Sequence, residues 1–126
     1  MVATMAVQSS GKRQIEVFPH PAIVNLFDLD LIIKYKKGRV CARKAELGRY
    51  YRLCREDLPR STPSLSGLDL GEIPPTGSSM KDFEDRLDAV LCAYVGAYWW
   101  YWGRERNMVF GDESLGYIIV PNRRIS

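Results

Sequence analysis

Several common routes to chemistry are missing from this sequence. Histidine occurs once, as His20, so a histidine-based metal site is excluded. No G-x-S-x-G or comparable serine or cysteine nucleophile motif is present. The three cysteines, Cys41, Cys54 and Cys92, are odd in number, far apart and without a CxxC pair, which argues against both structural zinc and a disulfide framework. Reduced, buried thiols in a cytoplasmic protein are the expectation. The apolar run near the N-terminus is short, and Lys12-Arg13 follows it instead of preceding it, so no secretory pattern is expected. The longest uncharged stretch, Ala89 to Trp102, is too short to span a bilayer, so the reading is a soluble protein with no membrane partner. Net charge is only +3, too mild to argue for nucleic acid by itself.

What remains is enough for one domain. A chain of 126 residues with 46% hydrophobic and 26% charged side chains can bury a single core. Residues 1–13 are small and polar, and a flexible N-terminal segment is expected there. The domain proper is read as 14–126. Gln14-Ile15-Glu16-Val17-Phe18 alternates as a strand does, Pro19 stops it, and Pro21 suits the first turn of a short helix through Ala22 to Phe27. Leu31 to Lys36 reads as extended, followed by a helix over about Val40 to Glu56 with Leu47, Tyr50, Tyr51, Cys54 and Leu58 on one face. Residues from about 57 to 79 hold four prolines, three glycines and many serines, an irregular loop of a length that is usually functional or mobile. Ser79-Met80-Lys81-Asp82 resembles a capping box opening the longest helix, about Met80 to Trp102, which Gly103 ends. Arg104 to Ser114 reads as a polar link, and Tyr117-Ile118-Ile119-Val120 as a buried strand closed by Pro121. The class is therefore α/β, few strands packed by a long C-terminal helix.

The long helix carries the most suggestive chemistry. Phe83, Leu87, Val90, Leu91, Tyr94, Tyr98 and Tyr101 share one broad face, while Asp85 and Asp88 lie elsewhere, one turn apart. Behind the acids come Ala89, Cys92, Ala93 and Gly96, small and uncharged where a solvated face would carry Lys, Glu or Gln. This predicts packing on both sides of the helix, with the acids at the rim of the second contact. Neighbouring carboxylates at a buried rim repel, and a divalent cation relieves that repulsion. The plainer explanation is that acids near a helix start are favoured by the helix dipole.

Between Lys34 and Arg55 stand nine of the 18 basic residues, among them Lys34, Lys36, Lys37, Arg39 and Arg43, opposed only by Glu46. Such a cluster suits phosphate backbones, although a solvated helix face looks the same. Tyr98-Trp99-Trp100-Tyr101-Trp102 points all round the helix end, which favours core plus interface over base stacking. His20 could serve as a base or phosphate contact, or simply make a local bond in its turn.

Four segments in order, Ile15 to Pro21, Lys34-Tyr35-Lys36-Lys37, Asp85 to Ala93 and Gly116 to Pro121, resemble the motifs of a predicted-nuclease family known as domain of unknown function 429. That family is similar to the RNase-H-like superfamily. The resemblance implies the C-terminal portion of an RNase-H-like fold, with Asp85 and Asp88 matching the D-x-x-D-A acids that bind Mg²⁺ or Mn²⁺, and Glu16 matching a further acid. The essential Asp of a Gly-Ile-Asp first strand has no counterpart before Gln14. The chain is thus expected to be a partial domain, completed by a second copy or by a separately encoded N-terminal half. Three functions follow as expectations. One is a metal-dependent phosphodiesterase using Asp85, Asp88 and Glu16, with Lys34, Lys36, Lys37, Arg39 and Arg43 on nucleic acid. Another is a non-catalytic oligomerising or nucleic-acid-binding module of that fold. The last is a purely structural interaction domain.

Overall fold

Ile15 and Val17 are sealed while Glu16 between them is half-buried, the two-faced pattern of a strand with one side on a core. That strand anchors the architecture seen in a computed structural model, which describes the backbone of residues 3–9 and 11–124 and the side chains of 15–124. In chain order the elements are β1 (Ala3–Ser9), β2 (Gly11–Val17), α1 (Pro19–Leu26), α2 (Val40–Asp57), α3 (Gly77–Trp102), β3 (Asn107–Asp112) and β4 (Gly116–Pro121), with single 3-10 turns at Leu58–Arg60 and Gly103–Glu105. The protein is mixed α/β. Its sheet has four strands in the order β1-β2-β4-β3. β1 and β2 pair antiparallel, β2 and β4 parallel, and β3 and β4 antiparallel.

The parallel pairing of β2 with β4 demands a long crossover, and all three helices lie within it. Helices α1 and α3 pack on β4, and α2 packs on α3. Residues paired across strands share a face, so Ile15, Tyr117, Val109 and Ile119 turn toward the helices, and Glu16, Ile118, Phe110, Met108 and Val120 turn to the other side. Among the described residues, no helix is long and apolar enough to cross a membrane.

The structure departs from the sequence reading in four places, each with a physical cause. Residues 3–9 and 11–13, within the segment expected to be flexible, are strand, because the pairing of β1 with β2 satisfies backbone groups whatever the side chains are. The polar link expected over Arg104–Ser114 contains β3. Its Met108-Val109-Phe110 core is held by a hairpin turn in which Asp112 Oδ1 accepts bonds from the Ser114 and Leu115 amides, at 2.9 and 2.8 Å. Leu31 to Lys36, expected to be extended, forms no strand: Ile33 and Tyr35 are buried, Lys34 is exposed, and the Tyr35 amide donates back to the Ile33 carbonyl at 3.1 Å. It lies over the helices instead.

The fourth concerns α3. It starts three residues before Met80, with the Met80 amide donating to the Thr76 carbonyl at 2.8 Å and no capping-box bond. Asp85 and Asp88 are therefore more than two turns inside the helix, where the dipole has little hold on them. The second contact expected for the small-residue face is not made within the described residues. Ala89 and Ala93 are exposed, Gly96 is half-buried, and Cys92 belongs to the core side.

Long irregular connections need anchors, and here the aromatic helix end supplies them. Tyr94 Oη donates to the Pro63 carbonyl at 2.8 Å and Trp102 Nε1 to the Thr62 carbonyl at 2.6 Å, while Tyr51 Oη accepts from the Leu70 amide at 2.6 Å. Leu65, Leu68, Leu70 and Ile73 pack partly against the core. The loop between α2 and α3 is thus tied to the core at both ends.

Candidate functional site

The polar centre of the molecule forms where three elements meet. The extended segment before α2 brings Tyr35 and Lys36, α2 brings Tyr50, and α3 brings Glu84 and Asp88 one turn apart. Asp88 has no exposed surface, and Glu84 retains 7%. A buried carboxylate is costly unless its lone pairs are met. Here they are. Asp88 Oδ1 accepts from Tyr35 Oη at 2.8 Å and Tyr50 Oη at 3.0 Å, and Oδ2 accepts from Lys36 Nζ at 2.9 Å. The same ammonium reaches Glu84 Oε1 at 2.5 Å, so Lys36 bridges the two acids.

The electrostatics follow the geometry. Burial, then the charge of Asp88, pushes the Tyr35 and Tyr50 hydroxyls far above their ordinary range, so both remain donors. Burial pulls Lys36 down, but its hydrogen bonds to Glu84 and Asp88 outweigh that and hold it above its ordinary value. Burial and the nearby Asp88 also raise Cys54 to about 12 and Cys92 to about 11, so neither thiol is a ready nucleophile. His20 sits at the edge of this network, its ring 5.1 Å from that of Tyr35. Its pKa is lowered, first by burial and then by Lys36, and its Nδ1 is shielded without a partner among the described residues.

Sequence reasoning placed Asp85, Asp88 and Glu16 together, but the fold separates them. Asp85 is half-exposed and its Oδ1 takes the Lys81 ammonium at 2.9 Å along the helix surface. Glu16 lies on the face of β2 opposite to Ile15 and Val17, away from the network around Asp88. The acid that does join Asp88 is Glu84, missed because i, i+4 spacing puts it on the inward side only once the helix phase is known. Among the described residues, no group of three or more Asp, Glu, His or Cys is arranged to hold a metal ion. Asp88, with both oxygens engaged and a lysine already between it and Glu84, does not fit the role of a metal ligand in this arrangement.

The basic residues also divide. Lys36 is committed to the acids, and Arg43 is half-buried with its Nε shielded. Lys34, Lys37 and Arg39 are exposed, as are Lys44, Arg49, Arg52 and Arg55 along α2. Arg55 rests on the Tyr51 ring at 5.2 Å. A shallow cavity of about 330 Å³ lies beside it, lined by Gly48, Tyr51, Arg52, Arg55 and Glu56.

Comparison with curated proteins and with solved structures returns no match. A family model described as "Protein of unknown function (DUF429)" matches residues 2–114, nearly the whole of the chain, and the protein therefore belongs to that family.

Proposed function

We propose that this chain is a non-catalytic nucleic-acid-binding module on a nuclease-like scaffold, docking phosphate backbones through the exposed cations of α2 and the segment before it. The observation that carries this reading is the double use of lysine. One cation, Lys36, is drawn inward onto Glu84 and Asp88, and so occupies one of the acids that metal-dependent hydrolysis would need. Lys34, Lys37, Arg39, Lys44, Arg49 and Arg52 stay outside, and none forms an ion pair among the described residues. Binding of this kind is sequence-independent and weakens steeply with salt.

The relation to RNase-H-like nucleases rests on the resemblance of the ordered motifs. Catalysis with Mg²⁺ or Mn²⁺ at Asp85 and Asp88 would require Lys36 to leave Asp88 and Asp85 to leave Lys81. It is the second reading, and the close spacing of Glu84, Asp85 and Asp88 on α3 is what favours it.

Two measurements decide. Fluorescence anisotropy with labelled duplex DNA and RNA across a salt series should show binding that falls linearly in a log–log plot. Replacing Arg49 and Arg52 by Glu should weaken it and flatten that plot. Calorimetric titration with Mn²⁺ should give negligible heat, unchanged in the Asp85→Asn, Asp88→Asn double variant. Salt-insensitive or absent nucleic-acid binding would sink the proposal, and a Mn²⁺ heat abolished in the double variant would install the nuclease reading instead.

A further inference from the structure

The sheet ends on β3, and from Met108 onward that edge is open among the described residues, whereas Asn107 is covered at 4% exposure. Natural edge strands are usually blunted by a lysine, a proline or a bulge. The stretch Asn-Met-Val-Phe-Gly-Asp of β3 contains neither lysine nor proline and pairs with β4 in unbroken register. Its side chains on the face away from the helices are apolar and open, Met108 at 39% and Phe110 at 51% exposure.

The ladder shows which backbone groups are free. The Asn122 amide donates to the Arg106 carbonyl at 2.8 Å, which makes 106 and 122 a hydrogen-bonded position. In an antiparallel ladder such positions alternate, so Met108 and Phe110 turn their amides and carbonyls toward β4, whereas Val109, between the covered Asn107 and the positive-φ Gly111, turns its own to the open edge. The strand is also flanked by opposite charges, Arg106 before it and Asp112 at its end. Arg106 lies on the Trp102 ring at 3.8 Å, and the bonds from the Leu115 amide and then the Ser114 hydroxyl hold the Asp112 carboxyl below its ordinary value.

We propose that β3 pairs antiparallel with β3 of a second copy of this chain, about a two-fold axis at Val109, joining two sheets into one. In this register Val109 faces Val109 across the open edge, and Asn107 falls opposite Gly111. Met108 faces Phe110, and Arg106 faces Asp112, each twice. An axis at Phe110 would also satisfy the backbone, but it would set Asp112 against Met108 and Arg106 against Ser114. Charge complementarity selects the axis at Val109, and the strand's own charges make a second copy its fitting partner. This surface is distinct from the basic face of α2, so the dimer and the nucleic-acid reading stand or fall separately.

Sedimentation of the full chain should show a dimer that dissociates on dilution. R106E should weaken dimerisation by roughly tenfold or more, since two attractive pairs become repulsive, and D112N, which keeps the Oδ1 acceptor of the hairpin turn but not its charge, should weaken it less. V109P, which removes an outward amide where proline is tolerated, should be monomeric with an unchanged far-ultraviolet circular dichroism spectrum. Hydrogen exchange at the Val109 amide should be slow in the concentrated wild type and fast once the wild type is diluted to monomer. A wild-type chain that stays monomeric at high micromolar concentration overturns the proposal. So does an R106E chain that remains folded and dimerises as tightly as the wild type.

Discussion

Asp85 and Asp88 stand three residues apart on one helix, and they belong to different regions of the molecule. Around Asp88 both carboxylate oxygens have been matched, by two tyrosines and a lysine. Around Asp85, and across the outer side of α2, charges stand in solvent with at most a neighbour on their own helix. The contrast teaches that a chemical group's partners, more than its type, set its use. In the closed region charge stabilises structure. In the open region it remains free to meet something else.

The largest effect that could break this comparison is a substitution at Asp88. Asp88→Ala leaves Lys36 and two buried hydroxyls short of an acceptor and should cost about 3–5 kcal/mol, read by denaturant unfolding. Asp85→Ala should stay within about 0.5 kcal/mol, as surface changes usually do. Equal costs at the two positions would erase the distinction.

Next in size is Tyr50→Phe, which removes one of the two hydroxyls on Asp88 Oδ1 and should cost about 1–3 kcal/mol in thermal unfolding. Because Tyr35 still serves that oxygen, the double Tyr35→Phe, Tyr50→Phe variant should lose more than the sum of the single losses.

On the open side, Arg49→Glu with Arg52→Glu should leave the melting temperature nearly unchanged. It should lower the slope of log affinity against log salt by about 0.9 for each phosphate no longer neutralised. A variant that melts early would show these arginines to be structural.

The smallest effect is a pH dependence at the edge of the closed region. Burial and Lys36 lower the His20 pKa below its ordinary 6.5, so between the two values the unfolded chain binds the proton and the folded one does not. Stability from the neutral ring is complete above about 6.5 and is lost as the pH falls toward the folded-state value. Unfolding profiles of wild type and His20→Gln should diverge in that window, and parallel curves would remove His20 from the network.

How far the sequence could be read varied with the kind of signal. Helix α2 and strand β4 were visible because the period of their apolar residues matches their geometry, as Leu47, Tyr50, Tyr51 and Cys54 show. Family membership was visible because short motifs recur in order. β1 and β3 were hidden, since a strand held by pairing needs little pattern of its own. Glu84 was hidden for a different reason. Among Asp82, Glu84, Asp85 and Asp88, spacing alone cannot tell which carboxylate a neighbouring segment will meet, and Lys36 comes from 48 residues earlier in the chain.

By itself, then, the sequence determined the α/β class, the long C-terminal helix, the family, and the presence of acids and cations in quantity. Periodicity and local motifs encode these directly. Only the tertiary structure decided that Lys36 is committed to Glu84 and Asp88, that Asp85 and Glu16 lie apart from them, and that one sheet edge is left open. Those facts depend on which segments cross in space, and the cost of burying an unmatched charge is the force that selects the crossing.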